Sequence, residues 1–211
     1  MIDAHQTPER IIHLIRHGET DWNREKRAQG QLESVLTDDG QDQAQTLALA
    51  MRDIPIDAVY SSSSVRTRQT TALLFGNRNI PVVYCDQLRE ICMGPWEGFL
   101  YADIQKQDPD QFEAFWQAPE RFSLPGAESF AQVQDRALKR LASILRDSTA
   151  RNIAIVSHGV LIKTILCAIE PRPLAELWRP PAMHNCARSV ISIQSDGNQR
   201  ILTYCDQPHR P

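Results

Sequence analysis

The sequence predicts an α/β fold, a mostly parallel central sheet flanked by helices, and three observations carry the prediction. Short apolar runs bounded by turn residues alternate with longer stretches of helical period. Two of those runs end alike, Ile11-Ile12-His13-Leu14-Ile15-Arg16-His17-Gly18 and Ile153-Ala154-Ile155-Val156-Ser157-His158-Gly159. The chain then closes on two β-type runs separated by Asp196-Gly197-Asn198, a hairpin signal and so an antiparallel edge.

Each element has its local reason. Residues 11 to 15 are a continuous apolar run and read as a buried strand. Thr37 is placed to cap a helix to about Arg52, with Asp38 and Asp39 at its positive end and Ala44, Leu47, Ala48 and Met51 as its apolar stripe. Asp57 to Tyr60 is a short strand leading into Ser61 to Ser64, Val65 to Phe75 is helical, and Ile80 to Tyr84 is a strand. From Phe99 to Phe122 polar residues mix with aromatics and are broken by Pro109 and Pro119, which predicts a small helical insertion expected to serve as a lid. Pro125-Gly126 ends it, and Phe130, Val133, Ala137, Leu141 and Ile144 mark one long helix. Strand 153 to 156, helix 160 to 169 and the hairpin strands 189 to 193 and 201 to 204 complete the order. With 211 residues the chain is expected to form a single domain over 1–211, with the insertion at about 99–124.

Composition narrows the function classes. The net charge is -3 and no Lys/Arg run forms a stripe, so neither a nucleic acid nor a membrane is expected as a partner, and any anion site must be local. Five scattered cysteines without a C-x-x-C pair argue against a disulfide framework and a zinc ribbon. Met1 to Arg10 lacks the pattern of a leader and there is no 18-residue apolar run, so a cytoplasmic location is expected.

Two histidines at the ends of parallel neighbours would share the crevice where open α/β sheets bind ligands. The glycine after each admits a close approach of backbone or ligand. Arg16 beside His17, and Arg66 in the first turn of a helix, point to an anion such as phosphate. Glu90 follows a third strand. Neutral imidazole is a competent nucleophile toward phosphorus, cations stabilise charge on the equatorial oxygens, and a carboxylic acid can protonate the leaving oxygen. The set suffices for phosphoryl transfer.

At these residues the chain resembles a known family. Leu14-Ile15-Arg16-His17-Gly18-Glu19-Thr20, with Asn23 three further on, is similar to the signature of the histidine phosphatase superfamily, the phosphoglycerate-mutase-like fold. Tyr60-Ser61-Ser62 with Arg66 and Gln69-Thr70 resembles its second arginine block, and Leu88-Arg89-Glu90-Ile91 with Gly94 and Trp96-Glu97-Gly98 its acid block. Pro125-Gly126-Ala127-Glu128-Ser129 resembles the segment before its long helix, and Val156-Ser157-His158-Gly159 its second histidine block. The resemblance implies that His17 is the phosphorylated nucleophile. It makes Arg16, Arg66 and His158 the phosphate pocket, Asn23 an accessory ligand, and Glu90 the acid and base. It implies a small phosphorylated substrate, no cofactor and no metal, and it leaves a homodimer open. Ser63-Ser64, Val35, Lys163, Pro95 and Ala127 depart from the common pattern without removing a proposed catalytic group.

Blander readings stand beside these. Glu90 could be a surface carboxylate paired with Arg89, and Asn23 and Gln29 could satisfy loop backbone. His5, His13, His184 and His209 read as structural. Trp96, Phe99, Phe112, Phe115 and Trp116 read as the insertion's own small core, with pocket lining as the alternative. Arg24, Lys26 and Arg27 could grip a second acidic group or simply be solvated. Zinc is disfavoured because two arginines would repel the cation. The Trp96-Glu97-Gly98 form and the short span from Glu90 to His158 resemble the phosphatase branch more than the mutases. A phosphomutase and a non-catalytic phospholigand-binding or scaffold protein remain the rivals.

Overall fold

The computed structural model describes residues 10–209; His5 and the stretch before Arg10 lie outside them. In chain order the structure runs β1 (Arg10–Arg16), a single turn α1 (Asp21–Arg24), α2 (Asp38–Ala50), β2 (Ala58–Ser62), α3 (Val65–Phe75) and β3 (Val82–Cys85). After two 3-10 turns, Asp86–Leu88 and Gly94–Trp96, come α4 (Tyr101–Gln107), α5 (Pro109–Gln117) and a further turn at Pro119–Arg121. The remainder is α6 (Phe130–Asp147), β4 (Asn152–Ser157), α7 (Gly159–Ile169), β5 (Arg188–Ile193), β6 (Gln199–Tyr204) and β7 (Gln207–Pro208). Among the described residues no helix is long and apolar enough to cross a membrane.

The strands form one sheet in the order β3-β2-β4-β1-β5-β6-β7. β3, β2, β4 and β1 are parallel, and β5, β6 and β7 add the antiparallel edge. The expected α/β architecture, a parallel block flanked by helices, is therefore what the chain adopts. Strand pleat decides which helix covers which face. Ile12 and Leu14 of β1 and Ile153 and Ile155 of β4 pack with α6 and α7. Their alternates Ile15, Ala154 and Val156 pack with Leu47 and Ala48 of α2 and Leu74 and Phe75 of α3.

α6 shows how local and tertiary signals agree. Ser129 accepts from the Gln132 amide and Gln132 answers the Ser129 amide, a reciprocal cap that fixes the helix start. Phe130, Val133, Ala137, Leu141 and Ile144, the expected stripe, are all buried. Removing each large member from water stabilises by roughly 1.5–3 kcal/mol.

Register places the two histidines together. Ile15 pairs with Val156 and Arg16 with Ser157, so His17 and His158 leave adjacent parallel strands at one level. Gly18 has a purpose other than admitting a ligand. A Cβ on it would lie 2.4 Å from the Gly40 carbonyl oxygen, and one on Gly40 would lie 2.0 Å from that of Glu19. The loop after His17 is thus pressed onto the first turn of α2, glycine against glycine. At Gly159 the same test finds only ordinary contact, 3.6 Å from Arg16 Nε.

Candidate active site

A cavity of about 520 Å3 opens where the parallel strands end, and Arg16, His17, Asn23, Gln29, Arg66 and Glu90 line it. His158 stands behind His17, edge-on, with ring centroids 5.3 Å apart. Four expected groups, the two histidines and two arginines, therefore meet on one floor. His17 is 3% exposed, and His158 and Arg66 are fully buried.

The hydrogen bonds fix the tautomers. His17 Nδ1 lies 2.7 Å from the Gly18 carbonyl oxygen, which can only accept, so Nδ1 carries the proton and the lone pair is on Nε2. Arg66 Nε donates to His158 Nδ1 at 3.2 Å, so the proton of that ring is on Nε2, which donates to Ser62 Oγ at 2.8 Å. Both imidazoles are held neutral. Burial first, then the Arg66 and Arg16 charges, push His17 well below the ordinary imidazole range, with the Gly18 carbonyl working the other way. Burial and Arg66 do the same to His158.

The arginines are anchored by the protein itself. Arg66 donates to the Gly30 and Leu32 carbonyls at 2.7 and 2.9 Å as well as to His158, so two of its five N–H groups are uncommitted among the described residues. Burial lowers its pKa to about 10. Arg16 donates to the Met183 carbonyl, and its buried Nε has no partner among the described residues. Burial lowers Arg16 as well, with the opposing Glu90 charge the largest counterweight.

Glu90 is not where a simple strand-end reading puts it. It follows the 3-10 turn after β3, and its carboxylate accepts from the Ile91 amide at 3.0 Å and from the Val160 and Leu161 amides of α7 at 3.1 and 3.2 Å. The surface pairing with Arg89 does not occur; Arg89 pairs with Glu33. Asn23 lines the cavity, but its Oδ1 accepts from the Thr20 amide in the cap of α1, which leaves the amide nitrogen for a ligand. Gln29 lines the cavity while its Oε1 accepts from Ser34.

The opposite wall is aromatic. Tyr101, Phe112, Phe115 and Trp116 of the insertion line the cavity with Trp178, which packs on Phe115 and Trp116 at centroid separations of 5.6 and 4.8 Å. Trp96 is buried core, Phe115 is buried yet also lines the space, and Phe112 and Trp116 are half-buried and line it, so the aromatics divide between both readings. Phe99 fits neither, being 51% exposed. Burial, then the Glu90 charge, raises the Tyr101 phenol to about 12. Lys26, Arg27 and Lys163 reach the same cavity, but Arg24 turns to Glu19 and Asp39. Lys163 donates to the Leu177 and Arg179 carbonyls at 2.9 Å each.

Sequence reasoning missed Tyr101, Trp178 and Asn185. Asn185 donates to the His17 carbonyl and to Asn23 Oδ1, each at 3.2 Å, tying the loop after His17 to the segment before β5. The chain offers no motif for it, because the contact crosses most of the sequence.

Two neutral imidazoles beside buried Arg66 and part-buried Arg16, at the mouth of a parallel sheet, define an enzyme of the phosphatase class. The chain belongs to the histidine phosphatase superfamily, branch 1, which it matches over residues 12–207. It is 30% identical over 185 residues to phosphoserine phosphatase 1 of Hydrogenobacter thermophilus, covering 88% of this chain and 87% of that one. It is also 30% identical over 183 residues to a probable phosphoglycerate mutase GpmB of Salmonella choleraesuis, covering 87% and 85%. The solved structure of Bacillus stearothermophilus YhfR superimposes with a TM-score of 0.90 at 37% identity, over 93% of this chain and 96% of that one.

Proposed function

We propose that the protein is a metal-independent phosphomonoesterase that hydrolyses a small phosphorylated metabolite through a phosphohistidine on His17. The observation that carries this reading is the His17 ring, which lines the cavity and keeps its lone pair on Nε2 because Nδ1–H is tied to the Gly18 carbonyl. Arg16 Nε, the two uncommitted N–H groups of Arg66 and the Asn23 amide receive the phosphate oxygens. His158 Nε2–H turns from Ser62 to a phosphate oxygen when substrate enters.

In the first step Nε2 attacks phosphorus, the ester P–O bond breaks, and protonated Glu90 gives its proton to the departing oxygen to release the alcohol. In the second, Glu90 carboxylate takes a proton from water, whose oxygen attacks phosphorus. The P–N bond breaks, inorganic phosphate leaves, and His17 returns neutral. Positive charge comes from the arginines, so activity survives exhaustive chelation. The alcohol part lies between the aromatic wall and Lys26, Arg27 and Lys163. The five free cysteines suit a reducing, cytoplasmic setting.

Rapid quench with labelled substrate tests the central claim. Acid-labile, base-stable phosphate is expected on the wild type and none on His17→Ala; a fully active His17→Ala protein overturns it. The relative named as a mutase supplies the second reading, in which an organic acceptor replaces water. Release of inorganic phosphate in step with alcohol separates the two, and turnover itself sets aside a purely ligand-binding protein.

A further inference from the structure

The α6 side chain Arg136 uses every N–H of its guanidinium on one segment and on the residue that braces it. Nη1 donates to the Gln87 and Arg89 carbonyls at 2.8 and 2.9 Å, and Nη2 to the Glu90 carbonyl at 3.3 Å. Nε and Nη2 form a two-pronged pair with Glu128, both at 2.9 Å. Glu128 in turn accepts from the Cys92 amide at 2.8 Å, and its own amide donates to the Cys92 carbonyl at 2.9 Å. The backbone from 87 to 92 is therefore gripped on both sides of Glu90. Arg136 is one-fifth exposed and does not line the cavity, so with all five donors committed it has nothing left for a substrate.

We propose that Arg136 and Glu128 are the positioning pair of this site, fixing the backbone of Glu90 so that only its side chain moves during proton transfer. This rests on Glu90 being the acid. The need for such a brace follows from the resting geometry. The Glu90 carboxylate is docked on the Val160 and Leu161 amides and must leave them to reach a leaving oxygen. A side chain that swings between two stations delivers its proton to one point only if its Cα is held still. A misplacement of about 1 Å costs up to roughly 100-fold in rate. Lysine cannot replace the fork, since a point charge with three donors cannot hold three carbonyls and a carboxylate together.

The test is single-turnover phosphorylation of the full chain by an alkyl phosphate and by p-nitrophenyl phosphate, whose phenolate needs no acid. Wild type, Arg136→Lys, Glu128→Gln, Glu90→Gln and the Glu90→Gln/Arg136→Lys double variant are compared, with melting temperatures measured for each. Arg136→Lys and Glu128→Gln are expected to slow the alkyl ester on the order of 10-fold more than the aryl ester. In the Glu90→Gln background, Arg136→Lys should leave the alkyl-to-aryl ratio unchanged, because nothing remains to be positioned. Equal losses for both esters, or a further change of ratio in the double variant, overturn the proposal. If Glu90→Gln alone shows no preference for the aryl ester, the acid assignment itself falls, and the positioning role with it. Should Arg136→Lys fail to fold, Glu128→Gln decides by the same ratio.

Discussion

His17, His158, Arg16 and Arg66 leave strand ends or the first turn of a helix, whereas Tyr101, Phe112 and Trp116 come from the short helices α4 and α5, and the two groups face each other across one cavity. On the floor each polar side chain is anchored to the scaffold by at least one directional hydrogen bond, and sheet register alone puts the two rings at one level. On the wall the contacts are ring against ring, at centroid separations of 4.8 to 6.4 Å and no single orientation. Directional bonds hold a geometry to fractions of an ångström, while ring packing fills space and tolerates rearrangement. On the proposed reading the floor is thus suited to one chemistry and the wall to accommodating the shape of the alcohol.

The hardest blow to that division comes from the floor. Arg66→Ala removes a charge aimed at the phosphate, and loss of one such donor typically costs about 10²- to 10³-fold in rate. The loss should appear for alkyl and aryl esters alike. Near wild-type kcat/KM in a variant of unchanged melting temperature would show that Arg66 belongs to the scaffold and not to the floor.

The wall should respond differently. Trp116→Ala is expected to raise KM on the order of 10-fold for esters with bulky alcohols, and to leave kcat nearly unchanged, since ring contact is the same before and during reaction. A fall in kcat with KM unchanged would mean that the wall takes part in the chemistry. Comparing methyl phosphate with a bulkier alkyl ester of similar leaving group isolates the effect.

The last effect is on stability and not on rate, and concerns pH. Burial, then the Arg188 charge, holds His13 at about 4 against an ordinary 6.5, and its Nδ1 has no partner among the described residues. With the folded pKa below the unfolded one, the unfolded chain binds more protons, so stability is present above the unfolded pKa and lost as pH falls below it. Between pH 7 and 5 His13 alone should remove about 2 kcal/mol. His17 and His158 act in the same direction. Melting of His13→Leu should therefore depend less steeply on pH than melting of the wild type; parallel curves would place the sensitivity in the floor. The acid limb of the activity profile should lie below that of an ordinary imidazole, because burial and the two arginines hold His17 well below the usual range.

The same contrast explains what could be read from the chain. Strands β1 and β4 announce themselves because fully buried parallel strands are continuous apolar runs, and α6 because its stripe keeps one period for 18 residues. Arg16, His17, Arg66 and His158 are found because each is adjacent in sequence to the element that aims it. Glu90 was visible as a carboxylate but not as the cap of α7, since its partners Val160 and Leu161 are far along the chain. Arg136, Asn185 and Trp178 were silent for the same reason. α1 and β7, of four and two residues, carry too little pattern to detect. The insertion's aromatics were legible as a group but not as individuals, because which ring faces the core and which faces the cavity is set only when α4 and α5 dock.

The paired glycines under the His17 loop have a bearing on how this site would look in a mutational scan. Gly40 sits on α2, outside the cavity, yet alanine there meets the Glu19 backbone at 2.0 Å and pushes on the loop that carries His17. Position 40 would therefore score as intolerant alongside the histidines, and an annotator working from tolerance alone would draw the active site one helix too wide. Nor could a second change repair it, since the atom it meets is the backbone carbonyl oxygen of Glu19, which every residue carries.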